Sequence, residues 1–424
     1  MAEFSQEELA RLEQAAALIL RAEERLPVLR TLSWDRQLAD RFFAAGETEP
    51  PAPEYPAIDA TPSLELLHEA EQLVDGSSPV HHWLDRLIDT VEETAAMLTG
   101  VGTGTFYGHS VALYGSPTAA IADGKVTALD LARRLDAVLS EFDEASMRLE
   151  PPEVLSAEDV KTRMSVLLPE HFGDSSPRIE VTTNVSAKAA AGSDYIKLRS
   201  DASFSDLDVD QLLHHEALIH IATGYNGRAQ HRFPILAESH PGNARTQEGL
   251  AVFAEFITGS LDPRRFKRLA DRVIGIHLSA EGADFIELYT FFRESNPNDA
   301  PLEAFESARR VVRGGLVNGG GPCTKDSVYL GGLLEVHNFL RAAVTTGDPE
   351  VIRALFAGKM DLRDIDAVRM LLNENLIQEA AFLPPWAKDL RYLLSALAYS
   401  SFLASIDIES VEKRFETLLS DPGS

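Results

Sequence analysis

Two histidines five residues apart, on a segment patterned as a helix, constrain this chain more than any other feature. Residues 205–230 read SDLDVDQLLHHEALIHIATGYNGRAQ, in which His215 and Glu216 are followed by His220. Ser205, Asp206 and Asp208 offer an N-cap and first-turn acids, Leu212, Leu213, Ile219 and Ala222 an apolar stripe, and Gly224 a stop. In a regular α-helix, residues five apart lie about 140° apart around the axis, so two such imidazoles diverge. The spacing therefore predicts a one-residue π-bulge between His215 and His220, bringing both rings to one face at the ~2.0 Å that a zinc–nitrogen bond requires. The plain alternative is one surface histidine and one satisfied core histidine, with Glu216 capping a neighbour. His214 is a weaker ligand candidate because nothing at position 218 partners it, and His68-Glu69 has no second histidine downstream.

A catalytic zinc takes three protein ligands and keeps one position open. The downstream candidates are His231, Glu238, His240 and Glu248. Glu248, in ARTQEGLAVFAEFITGS, is preferred: Thr246 is placed to cap a helix whose first turn aims this carboxylate outward. Gly249 supports the choice, since a glycine within a helix costs about 0.5–1 kcal/mol relative to alanine and so signals the close approach of another backbone. The alternative for Glu248 is an ordinary acid at a helix N-terminus.

Composition narrows the partners. The 424 residues carry 39 Lys+Arg against 66 Asp+Glu, a formal net charge of -27, which disfavours nucleic acid and anionic membrane. With 45% hydrophobic and 25% charged residues a packed core is expected. Cys323 is the only cysteine, so no internal disulfide and no thiolate metal cluster can form within one chain. Its lone thiol reads as inert packing. The acidic start MAEFSQEELARLEQ lacks a secretory leader's pattern, and no apolar run is long enough to span a bilayer. A cytoplasmic protein is expected.

Along the chain, 6–45 reads as one or two amphipathic helices, and 47–63, with five prolines, as an extended connector. Helical patterns follow at about 63–75, 80–99, 127–148 and 157–171. Gly102, Gly104 and Gly108 lack phosphate-loop spacing and, beside Phe106, Tyr107 and Tyr114, suggest a hairpin. Residues 178–200 alternate as two or three short strands, after which helix dominates to the end. The expected fold is α+β and predominantly α-helical, with a small β-sheet preceding a zincin-like H-E-x-x-x-H helix. Three regions are expected: an N-terminal helical region (1–150), a metallopeptidase-like core (151–345) and a C-terminal helical region packed on it (346–424).

HEALIH, NGRAQ and TQEGLAVFAEF, followed by RGG and TKDSVYLGGLLEVHNFLR, resemble the bacterial proteins named for a QEGLA motif and linked to flavohaemoglobin expression. The same blocks are similar to the microtubule-associated tyrosine carboxypeptidases, which remove the C-terminal tyrosine of α-tubulin. The resemblance implies that His215, His220 and Glu248 hold zinc and that Glu216 activates the water. The implied activity is a zinc carboxypeptidase acting on a peptide or protein C-terminus, with a tyrosine or other aromatic as the implied last residue. Two rivals remain at this point: a regulatory scaffold with a structural zinc site, and a zinc amidase acting on a small non-peptide amide.

In such a reaction Glu216 takes the proton from the attacking water and returns it to the leaving amine. Tyr225, Tyr329 and Arg228 are candidates to hold the developing oxyanion. A terminal carboxylate calls for a cationic reader, for which Arg228, Arg313 and Lys325 qualify, Lys325 being preferred. The glycine-rich stretch Gly314–Asp326 reads either as a lid over the site or as a plain loop between helices.

Overall fold

The computed structural model describes residues 4–121, 124–140, 153–183, 185 and 188–419. It is an α+β fold dominated by helices, as the periodicity implies.

The N-terminal pattern resolves into Gln6–Glu23, Val28–Thr31 and Gln37–Ala44. The connector after them stays irregular until Thr61–Glu71 begins, as its prolines require. It is pinned where Tyr55 Oη accepts a hydrogen bond from Trp34 Nε1 (2.7 Å) and another from the Gly314 amide (2.8 Å). Helices Pro79–Thr99 and Ala157–Phe172 lie where the sequence places them, and Ala128–Leu139 opens the third expected pattern, whose residues 141–148 lie outside the described ones.

The expected hairpin at 102–114 is instead the helix Thr105–Tyr114. Its buried residues Phe106, Ser110 and Tyr114 recur every fourth position, a helical period that aromatic and glycine content alone obscures. Ser110 ties that face down: its Oγ accepts from the Thr324 amide at 2.8 Å.

Three small sheets are present among the described residues. The largest contains Arg178–Thr182, Ala189–Ala191 and Tyr195–Arg199, with the last strand central, parallel to the first and antiparallel to the second. Buried Ile196 and Leu198 alternate with half-buried neighbours, so one face packs inward. Val154–Leu155 pairs antiparallel with Phe204–Ser205, which leads directly into the histidine helix.

Among the described residues, packing forms three hydrophobic clusters. One runs from the N-terminal helices through Trp83, Phe253 and Phe356 to Leu397. A second joins the sheet to Ala157–Phe172, and a third gathers Trp34, Phe42, Phe285 and Phe305. The histidine helix lies at a seam, because Ile219 packs into the first cluster while Leu213, Leu218 and Ile221 pack into the second. Both sides hold it fixed. Among the described residues no helix is long and apolar enough to cross a membrane.

Candidate metal centre

Ser205 begins the histidine helix with a reciprocal capping box to Asp208, as its sequence suggests. Regular turns span Asp206–Gln211 and Ala222–Arg228, and between them Leu212–Ile221 is wound as a π-helix. The irregularity falls at the predicted place but covers ten residues rather than one. Bonding from i to i+5 stacks each residue over the fifth along, which is what brings His220 beneath His215. Their ring centroids are 5.0 Å apart. Gly224 does not stop the helix; it is buried within it, and the chain stays helical to Arg228.

Glu248 arrives from the helix Pro241–Thr258. The expected start at Thr246 is wrong, because the helix is capped two turns earlier at His240 and Glu248 lies mid-helix. Pro241 at the first helical position supplies the start signal that the threonine mimics. Thr246 Oγ1 instead accepts the Leu362 amide at 2.9 Å. Gly249 does mark a close backbone: a Cβ there would stand 2.8 Å from Cα of Gly332, on the helix Val328–Thr346.

Donor atoms of His215, Glu216 and His220 lie within 4.8 Å of one another. Glu248 Oε2 stands 3.5 Å from Nε2 of both histidines, and Glu216 Oε1 lies 3.9 Å from His215 Nε2. Glu248 Oε2 is buried without a hydrogen-bond partner. A charge-assisted hydrogen bond would be shorter, near 2.7–2.9 Å. Two ligands on one tetrahedral ion with bonds of about 2.0 Å are instead roughly 3.3 Å apart, close to the observed spacing. Two imidazoles, one orphaned carboxylate and a second carboxylate beside them thus fit a divalent ion such as zinc.

The local field favours a cation at this point. Burial opposes protonation of His215, yet Glu248, Glu255 and Glu216 outweigh it and push the imidazole pKa up to about 10. Burial likewise opposes ionisation of Glu248, but His215, His220 and Lys325 hold it well below the usual carboxylate range. A site that draws a proton this strongly offers the same attraction to a metal ion.

Glu255 is the member that the sequence reading missed. Its Oε1 lies 2.6 Å from His215 Nδ1, leaving Nε2 turned toward Glu248 and His220. It is fully buried and forked by Arg265, whose Nη2 donates to Oε1 at 2.7 Å. Burial would raise the Glu255 pKa, but Arg265 and His215 lower it to about 2. The missed signal is spacing: Glu255 follows Glu248 by seven residues, two turns along one helix face.

Of the substrate-side candidates, Lys325 reaches the centre, with Nζ 3.7 Å from Glu248 Oε1. Tyr329 follows one turn later and shares the electrostatic surroundings of Arg265, Arg272 and Arg310. Arg313 lies 3.6 Å from Asp326. The partners of Arg228 lie elsewhere: it donates to the Ser193 carbonyl at 2.8 Å and stacks over the Tyr225 ring. Tyr225 in turn packs on Phe172 and Phe382.

The stretch Gly314–Asp326 is a packed connection, not a lid. The Cys323 amide bonds to Val311 and that of Gly320 to Ser279, both at 2.7 Å, and Cys323 is buried. Its glycines serve close packing, since a Cβ on Gly315 would collide with the Gly321 carbonyl.

No curated protein matches this sequence. Among solved structures, a Pyrococcus furiosus carboxypeptidase described as Apo-Mg is similar, at 13% identity with a TM-score of 0.32 over 94% of this chain and 100% of that one. The family model of the microtubule-associated tyrosine carboxypeptidases matches residues 40–405. That span holds the π-wound histidine helix, Glu248 and Lys325, and the chain belongs to the microtubule-associated tyrosine carboxypeptidase family.

Proposed function

We propose that this protein is a zinc-dependent carboxypeptidase that removes the last residue of a peptide or protein chain. The observation that carries the reading is the orphaned Glu248 Oε2, 3.5 Å from both imidazole Nε2 atoms with Glu216 alongside. A merely structural site has no use for a base beside its ligands. Family membership supports the reaction class, and a C-terminal tyrosine or other aromatic is the preferred last residue on that basis.

His215, His220 and Glu248 hold the ion, and Glu255 fixes the His215 tautomer through Nδ1. When bound, zinc supplies a Lewis acid that acidifies water and polarises the scissile carbonyl. Glu216 accepts the proton of the attacking water and delivers it to the departing amine. Lys325, 3.7 Å from Glu248, and Tyr329, one turn later, supply the electrophiles for the developing negative charge. The cations around Asp326 receive the substrate's free carboxylate.

Elemental analysis of the purified protein and release of C-terminal residues from a peptide library test this. We expect one zinc per chain and cleavage, with Glu216→Gln keeping the metal and losing about 10²–10⁴-fold in rate. Stoichiometric zinc with no cleavage of any peptide would overturn the peptidase reading.

A further inference from the structure

The helix Arg391–Leu403 buries one side and leaves the other bare among the described residues. Leu393 and Leu397 enter the first hydrophobic cluster, and Arg341, on the helix Val328–Thr346, donates to Ser401 Oγ at 3.2 Å. On the opposite side Tyr392, Tyr399 and Phe402 are 64%, 64% and 65% exposed, and Leu403 and Ile406 are 42% and 44% exposed. Tyr392, Ala396, Tyr399, Leu403 and then Ile406, just past the helix end, alternate steps of four and three, the spacing of a two-helix seam.

A single apolar side chain on a surface needs no partner, but this row is continuous. Together with Ile408, 58% exposed, the five large side chains present roughly 700 Å². The largest apolar patch on a typical monomer is about 300–600 Å², and each partner in a stable interface contributes about 800 Å².

Charge indicates what sits there. From Tyr392 to Ile406 no residue is charged, although 25% of the chain is and its formal net charge is -27. Arg391, at the head of the helix, is paired with Asp389. Two copies this acidic repel over most of their surfaces and meet at least cost where charge is absent. A membrane-surface helix carries lysines and arginines beside its apolar face, and this one carries none over that stretch.

A second copy also fits the shape of the seam. In an antiparallel pair about a two-fold axis, Tyr399 of one copy faces Ala396 of the other and Tyr392 faces Leu403, so each tyrosine enters opposite a smaller side chain. We propose that the exposed face of Arg391–Leu403 is a homodimer interface, in which two copies pair this helix antiparallel along Tyr392, Ala396, Tyr399 and Leu403.

Sedimentation velocity on the full-length protein at micromolar concentrations tests it. Wild type should run as a dimer that dissociates on dilution, and Tyr399→Asp should weaken the dimer about tenfold or more. The side chain is exposed, so the circular dichroism spectrum should match wild type; Phe402→Ser carries the comparison if the aspartate variant folds poorly. Cys323 is the only cysteine and is buried, so Tyr399→Cys adds one reactive thiol. A short bis-maleimide should join Tyr399→Cys into covalent dimers and leave Tyr392→Cys unlinked, since the antiparallel register sets two copies of position 392 ~16 Å apart along the axis. Wild type that stays monomeric, a dimer that neither Tyr399→Asp nor Phe402→Ser weakens, or equal linking at both positions would overturn the interface. Monomeric protein that sediments with phosphatidylcholine vesicles would also overturn it and give the face to a membrane.

Discussion

Gly249 and Gly332 cross face to face: a Cβ on the first would lie 2.8 Å from Cα of the second, and one on the second 2.9 Å from Cα of the first. Two helices approach here at backbone distance, with Glu248 on the turn beside the crossing. Gly249→Ala should therefore destabilise the fold by about 1–3 kcal/mol or more, despite alanine's better helix propensity. Thermal unfolding should show a lower Tm together with weaker zinc retention. An unchanged or higher Tm would mean that the helices separate freely.

Glu255→Gln removes the charge behind His215 and leaves Arg265 buried without its carboxylate. Breaking one side of a buried pair costs about 3–5 kcal/mol, and on the proposed ligation by His215 losing its partner weakens metal binding about 10–100-fold. Urea unfolding and zinc titration against a chelator read the two effects separately. The double variant Glu255→Gln/Arg265→Met should recover stability without recovering affinity.

Asn226 and Gln230, in the NGRAQ stretch, act as clamps. Asn226 Nδ2 donates to the carbonyls of Phe356 and Phe382, and its Oδ1 accepts the Phe382 amide. Gln230 does the same with Ala357 and Gln378. Asn226→Ala should cost about 2–5 kcal/mol, since each stranded buried partner costs about 1–3 kcal/mol. Limited proteolysis should find new cleavage near 378–382. Resistance equal to wild type there would refute the clamp.

Glu23 gives a pH signature away from the candidate metal centre. Burial first, then the charges of Glu238 and Glu24, push its pKa up to about 7. The folded state thus binds this proton more tightly than the unfolded chain, so the group's contribution is complete below about pH 4.5 and is lost as pH rises through about 7. Glu23→Gln should raise Tm by a few degrees at pH 8 and leave it near wild type at pH 4.5. The opposite ordering would show that Glu23 is better solvated than its surroundings imply.

The sequence by itself determined the helical character of the fold, the strands after 178 and the break over 47–63, and it singled out His215, Glu216, His220 and Glu248, which folding brings together. These are local matters: periodicity, proline, capping acids, and donor types at a spacing that a regular helix cannot use. The length of the π-wound segment is not written in the spacing of the two histidines: Leu212–Ile221 lies between two hydrophobic clusters, with Ile219 in one and Leu213, Leu218 and Ile221 in the other. Tertiary structure also decided where each cation lies. Arg228 and Arg272 look alike in sequence, yet one donates to Ser193 while the other stands beside an aspartate already occupied. Charge compensation depends on what folding brings within a few ångströms, which composition and spacing do not encode.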